Sequence, residues 1–227
     1  VQIKEKMDEE QLAEFLSTNE AEKQAAILNT IEDAYLVYQK LAQKDHKNVF
    51  LLHGMMIPLH KKVMISKVQK LLESKNKLPI KVISTQIIEA GVDVSFQHVA
   101  RAASILPSVV QAAGRVNRHF EMEKGMLSIV PFYRHGKKNT RNSIYDKDLQ
   151  LITDRLLGEK EYWTESELIP LVQRYYEEMF KLNTYETANQ AIIAAYEGRW
   201  SELGTFQPFG NDYLKLPIFV PWEIPEG

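Results

Sequence analysis

The chain's 227 residues are 44% hydrophobic, enough for a proper core in one large domain or one domain with an appended module, which excludes disorder as the general state. With 28 basic against 30 acidic residues the formal charge is −2, so no bulk field draws the whole molecule to nucleic acid or an anionic membrane, and any anion contact has to be local. Cysteine is absent, which removes disulfides, thiolate nucleophiles and thiolate metal ligands together and suits a reducing compartment.

At the amino end, VQIKEKMDEE lacks the charged-then-apolar build of a signal peptide, and no later apolar run is long enough to cross a bilayer; the expectation is a cytoplasmic protein with no membrane partner. The first residue is not Met, which predicts a piece cut from a longer chain. Met7 to Leu16 carry a short Glu-rich helical pattern, read as a connector or peripheral helix over 1–20. KQAAILNT, Lys23 to Thr30, reads as a buried strand ending in Asn-Thr. IEDAYLVYQKLAQK then places Ile31, Ala34, Tyr35, Tyr38, Leu41 and Ala42 on one helical face. NVFLLHG repeats the strand and PLHKKVMISKVQKLLESK the helix, with Pro58 suited to its first turn. IKVIST is a third strand, HVARAAS a fourth, PSVVQAAGRVNR a helix opened by Pro107, and GMLSIVPF a fifth strand. Strands alternating with helices predict an α/β fold over 21–140: an open parallel sheet with helices on both faces, joined by right-handed crossovers.

From about Arg141 the pattern is helical, and 141–204 reads as a mostly helical extension. Thr164 and Glu167 fit a capping box, and Leu168, Leu171, Val172, Tyr175, Met179 and Phe180 make an apolar stripe that Pro170 should kink or start late. ANQAIIAAYEGRW is another helix. Residues 205–227, with the strand-like PIFV, read as an arm or the start of a further module.

In open α/β sheets, ligands lie beyond the carboxyl ends of the strands. Asn29, Thr30, His53, Ser84, Thr85 and Gln86 all fall there, and short hydroxyl and amide side chains suit phosphate oxygens without demanding a particular base. Gly91 lets a loop approach a ligand closely, and Asp93, between Val92 and Val94, offers a carboxylate to a ribose hydroxyl. The plain alternative is that Ser84 and Thr85 cap a turn and Asp93 ends a strand. In QAAGRVNR, Gln111, Arg115 and Arg118 stand at helical spacing, so the expectation is three side chains on one face, with Gly114 letting another backbone pass close. Two guanidiniums a turn apart call for an anion between them, and a phosphoryl group in transfer is one; the alternative is a solvated basic face paired with Glu121 or Glu123.

STQIIEAGVDV followed, after one further strand, by QAAGRVNR resembles the fifth and sixth signature motifs of superfamily 2 helicases, with ILNT in the place of the fourth. The stretch Lys23 to Phe132 looks like the second RecA-like domain of such a motor, and EAGVD with GRVNR is closest to the CRISPR-associated helicase–nuclease of type I systems. The resemblance implies that Ser84, Thr85 and Gln86 meet the sugar–phosphate backbone of single-stranded DNA, with Asn29, Thr30 and His53 on the same track. It implies that Glu89, Gly91 and Asp93 border ATP, that Arg115 and Arg118 are arginine fingers, and that Gln111 couples the two sites. Ala112 departs from the motif, where Arg usually follows the Gln.

A motor also needs a Gly-rich phosphate loop with its Lys, and an acidic pair for Mg²⁺; neither is in this chain, where DEEQ at Asp8 reads as helix surface. ATP and Mg²⁺ are therefore expected to be held mainly by a first RecA-like domain elsewhere, and this chain to be inactive alone. No His is followed by Asp, and His46, His60, His98, His119 and His135 lack ligand spacing, so no metal site is expected here. The resemblance further implies a His-Asp nuclease domain and a guide RNA surveillance complex as partners. RHGKKNTR is a candidate DNA contact or a solvent loop. The rival functions are another superfamily 2 DNA or RNA translocase and a motor-derived module for protein binding, with Tyr175, Tyr176 and Trp200 on its surface.

Overall fold

A computed structural model describes residues 1–44, 48–74, 78–89, 91–119, 124–182, 186–205, 218 and 221. The predicted α/β sheet is present with six strands rather than five: β1 (Gln2–Ile3), β2 (Lys23–Ile27), β3 (Val49–Leu52), β4 (Ile80–Ser84), β5 (His98–Ala102) and β6 (Met126–Val130). They lie in the order β1-β6-β5-β2-β4-β3, every pair parallel. The added strand is only two residues long, too short for any periodicity; Gln2 pairs beside Ser128 and Ile3 beside Ile129. β4 and β5 are buried at every position, which requires cover on both faces.

Helices α1 (Glu9–Thr18) and α2 (Ile31–Lys44) cover one face, where Leu12, Ala13, Leu16, Ala34, Val37 and Leu41 pack with Ala26, Leu28, Ile83, Ala100 and Val130. So α1 is part of the core and not a peripheral connector. DEEQ is its cap: the Asp8 carboxylate accepts from the backbone of Glu10 and Gln11, and Gln11 Oε1 accepts from Asp8 N at 3.0 Å. The buried stripe of α2 is Asp33, Ala34, Val37 and Leu41, while Ile31 and Tyr35 of the predicted face are exposed. The reason is electrostatic: Asp33 turns inward because Arg134 and Thr140 wait for its carboxylate there.

Helices α3 (Pro58–Glu73) and α4 (Leu106–Ala113) complete the crossovers. The adjacent strands β2 and β5 send their helices in opposite directions, α2 toward β3 and α4 toward β6, so a crevice forms at their carboxyl ends. A hairpin, β7 (Tyr133–Arg134) with β8 (Lys138–Asn139), follows, then α5 (Lys147–Leu157) and α6 (Glu165–Leu182). Glu167 accepts from Thr164 N at 2.8 Å, as the capping pattern predicts, yet α6 starts on time and runs through Pro170. Pro170 sits in the second turn, where its missing N–H removes a single helical bond.

Two compact units divide within α6, Val1–Tyr175 and Tyr176–Pro221, so the body that carries the sheet extends past residue 140. The second unit holds α7 (Glu186–Tyr196) and α8 (Trp200–Leu203), linked through Gly198 at φ 71°. PIFV, His46, Glu121 and Glu123 lie outside the described residues, apart from exposed Ile218. No helix among the described residues is long and apolar enough to cross a membrane.

At the opposite, amino edge of the sheet His98 opens β5, 3% exposed, its Nε2 2.9 Å from Ser128 Oγ. Burial, with Lys4 nearby, lowers its pKa from 6.5 to about 4, so the fold holds the ring neutral. A depressed histidine contributes stability that is complete above 6.5 and is lost as pH falls toward 4. Urea unfolding should therefore lose about 2 kcal/mol between pH 7 and pH 5, and His98→Gln should flatten that slope.

Candidate functional site

The parallel strands bring the residues that follow them to one edge. β2 delivers Asn29 and Thr30, β3 delivers His53, and β4 ends in Ser84 before Thr85 and a single 3-10 turn, Gln86–Ile88. Not all face outward. The Ser84 hydroxyl is buried with the carbonyls of Leu52 and Thr85 each at 2.9 Å, and Thr85, also buried, ties its N–H to Leu52 O at 3.1 Å. Thr30 Oγ1 accepts from Asp33 N, starting α2, and from Arg134 Nη2, each at 3.1 Å. His53 is half-buried; burial, with Lys61 and His60 nearby, holds its imidazole below the ordinary range.

Asn29 is committed inward: its Nδ2 donates to Ala103 O at 2.9 Å and its Oδ1 accepts from Arg101 Nη1 at 2.7 Å. Arg101, 0% exposed near the carboxyl end of β5, is the hub of this edge. Its Nη1 also lies 2.9 Å from Ala102 O, its Nη2 donates to Tyr145 Oη at 2.9 Å, and its Nε stands 2.6 Å from Glu89 Oε1. Burial still raises the Glu89 carboxyl above its ordinary range, against the pull of Arg101. Gln86 Nε2 lies 3.3 Å from Asn29 O and 3.4 Å from Tyr145 Oη, which holds the start of the 3-10 turn, while Glu89 on Arg101 holds its end.

The second cluster reaches the same place by a route that differs from the sequence expectation. α4 ends at Ala113, so Gln111, Arg115 and Arg118 do not share a helix face. Gln111 is exposed on the helix, and Ala112 beside it is buried. After Gly114 the chain turns and Val116 forms a parallel bridge with Phe96: Phe96 N donates to Arg115 O at 2.9 Å and Asn117 N to Phe96 O at 2.8 Å. Gly114 has ordinary helical geometry with only its own preceding turn near a built Cβ; the close approach is at Gly125, where a Cβ would stand 2.4 Å from Val116 Cγ1. The bridge sets Arg115, 7% exposed, over the 3-10 turn, donating to Glu89 O from Nε at 3.2 Å and Nη2 at 2.6 Å. Burial first, and then Arg118, lower the pKa of its guanidinium, which remains charged at neutral pH. Arg118 stays outward, its Nε 3.1 Å from Asp93 Oδ1. Val92 and Val94 are buried, so alternation in the extended segment pushes Asp93 into solvent. Gly91, at φ 76°, leaves open space before this loop. Arg118, Asp93 and Gly91 thus form an open lip in which one exposed guanidinium meets one exposed carboxylate, with Arg115 behind it.

A model of the C-terminal part of the CRISPR-associated nuclease/helicase Cas3 matches residues 20–121, the span that contains this edge apart from Arg134 and Tyr145. The chain carries a helicase C-terminal domain related to Cas3. Over 150 residues it is 29% identical to the CRISPR-associated nuclease/helicase Cas3 of Methanothermobacter thermautotrophicus, which is 65% of this chain and 17% of that protein. The crystal structure of T. fusca Cas3 superposes with a TM-score of 0.67 at 17% identity, covering 89% of this chain and 26% of that one; the same protein has been solved with ATP. A chain of a CRISPR RNA-guided surveillance complex, pre-nicking, gives a TM-score of 0.61 at 17% identity over 90% of this chain and 27% of its own length. The chain therefore spans a small part of the proteins it resembles.

Beyond residue 121, RHGKKNTR forms the β7–β8 hairpin and the turn after it; Lys137 and Lys138 are exposed, while both arginines are paired. Arg134 is buried, its Nε 2.8 Å from Asp33 and its Nη1 on Glu32; Arg141 forms two 2.8 Å bonds to Asp154 and donates to Ser104 O. Glu9 is no surface carboxylate either, since it is 7% exposed and accepts from His135 N and Nδ1 at 2.8 and 2.6 Å. Tyr175 is buried, whereas Tyr176 and Trp200 are exposed. Among the described residues no group of three His, Asp or Glu is arranged to hold a metal ion. Arg101 and Tyr145 escaped the sequence reading, although an arginine inside HVARAAS was a usable signal, because a buried cation demands a buried partner.

Proposed function

We propose that this chain is the C-terminal lobe of an ATP-dependent DNA helicase motor of CRISPR interference, working in the cytoplasm, and that it supplies arginine fingers and part of the single-stranded DNA track. One observation carries the reading: the Phe96–Val116 bridge holds Arg115 on Glu89 and Arg118 on Asp93 at the carboxyl edge of the sheet. A guanidinium fixed beforehand by a backbone carbonyl is suited to stabilising charge that develops on a transferring phosphoryl group, since no reorganisation is needed when the charge appears. The open space at Gly91 and the exposed Arg118 fit a polyphosphate and its ribose, with Asp93 releasing Arg118 to the phosphate and turning to the sugar. ATP would bring its own phosphoanhydride chemistry and Mg²⁺ would neutralise charge from the facing first RecA-like lobe. Gln86 and Thr85, with Thr30 and His53 beside them, would line the strand; Asn29 and Ser84 support that track from within. Gln111 stands on the exposed side of α4 toward the facing lobe. A His-Asp nuclease domain and the guide RNA surveillance complex are the partners this reading implies.

The isolated chain should hydrolyse no ATP, with or without single-stranded DNA, and hydrolysis should return in the protein that also carries the lobe with the phosphate loop. Turnover by a clean preparation of this chain alone would overturn the division of the site.

A further inference from the structure

Tyr145 joins the sheet edge to the helical region. Its N–H donates to Arg141 O at 3.0 Å, its carbonyl accepts from Gln150 Nε2 at 2.8 Å, and the next residue, Asp146, caps α5, so its backbone is anchored on both sides. Its phenol oxygen faces two donors, Arg101 Nη2 at 2.9 Å and Gln86 Nε2 at 3.4 Å. A phenol whose lone pairs both accept has only its own proton left to give. Among the described residues no acceptor stands against that proton. A guanidinium donating onto the oxygen polarises the O–H and makes it a better donor toward an anionic oxygen.

The other end of the chain of contacts lies at the phosphate side. Arg101 Nε meets Glu89 Oε1 at 2.6 Å, Glu89 N donates to Gln86 O at 2.9 Å, and the Glu89 carbonyl is the seat of Arg115. One buried cation and one turn thus connect Tyr145 and Gln86 to the guanidinium of Arg115. Arg101 and Glu89 are both buried, so the ion pair between them is weakly screened by solvent.

We propose that Tyr145 is a strand-sensing residue. Resting on the motor reading above, its hydroxyl donates to a phosphodiester oxygen of the single strand beside Gln86, and Arg101, a positioning residue, relays strand occupancy to Glu89 and Arg115. The sensor lies outside the helicase motifs and ties the helical region after the sheet to the catalytic cycle.

The test uses the full-length protein, ATP and oligothymidine. Tyr145→Phe removes one oxygen and keeps the ring; the oligothymidine concentration giving half-maximal stimulation of hydrolysis should rise by about tenfold, as for the loss of one hydrogen bond to a charged acceptor, with the KM for ATP unchanged. Arg101→Lys keeps the charge but cannot reach Glu89 and Tyr145 together, so it should lower the maximal stimulation more than the affinity for the strand. A Tyr145→Phe protein matching wild type in both half-stimulating concentration and maximal stimulation overturns the proposal. Arg115→Ala separates the two claims: if it retains hydrolysis the motor reading itself fails, and if it loses hydrolysis while Tyr145→Phe behaves as wild type, only the strand sensor fails.

Discussion

Arg115→Ala in the full-length protein is expected to lower single-strand-stimulated ATP turnover by about a thousandfold, the scale of an arginine placed on a transferring phosphoryl group. ATP binding should weaken by less than about tenfold, because an interaction made mainly in the transition state appears in kcat more than in affinity. Unwinding should disappear with hydrolysis. The structure adds a second effect that has to be separated from the first. Arg115 is buried and satisfies the Glu89 carbonyl, so its truncation also leaves a polar group without its donor, at a cost of about 1–3 kcal/mol. Arg115→Lys restores one donor to that carbonyl but not the planar fork, and should recover most of the stability and little of the rate. Single-turnover hydrolysis beside a urea titration distinguishes the two; turnover equal to wild type in Arg115→Ala would remove this residue from the chemistry.

Arg101→Met should destabilise the sheet-bearing unit by about 3–5 kcal/mol, because it strands the buried Glu89 carboxylate without its partner. It also withdraws donors from Asn29, Ala102 and Tyr145 together. The sign with pH is definite. Glu89 already has its folded pKa raised by burial, and losing Arg101 raises it further. Such an acid penalises folding once pH exceeds its unfolded value, so the destabilisation should be greatest near neutrality and shrink as pH falls through the weakly acidic range. The double variant Arg101→Met with Glu89→Gln should recover much of the loss, since both charges leave the interior at once. Urea midpoints that are unchanged in Arg101→Met, or that worsen on acidification relative to wild type, would contradict the buried pairing.

Much of the fold was legible because its physics is local. Five of the six strands stand out as apolar runs between turn signals, and their alternation with amphipathic helices leaves little choice but a parallel sheet. Two-residue β1 carries no period to read; it exists only because β6 offers an open edge. The buried face of α2 departs from its apolar spacing for a comparable reason. Tyr35 matches the apolar spacing, but Asp33 is drawn inside by Arg134 of the hairpin and Thr140 of the turn after it, about a hundred positions away. In QAAGRVNR the spacing of the arginines suggested one helix, whereas Val116 finds its partner in Phe96 and the helix gives way to an extended bridge.

The chain's own pattern was enough to bring Asn29, Thr30, His53, Ser84, Thr85 and Gln86 to the carboxyl edge, because parallel strands all point the same way and whatever follows them is gathered there. Which of those side chains look outward was decided by packing in three dimensions. Asn29 and Ser84 turn inward, Arg118 and Asp93 turn outward, and Arg101 draws Asn29, Glu89 and Tyr145 onto one guanidinium. Periodicity records only whether a position is apolar. A buried charge is placed by partners that are distant in sequence, and these meet only when the strands and the segments after them come together.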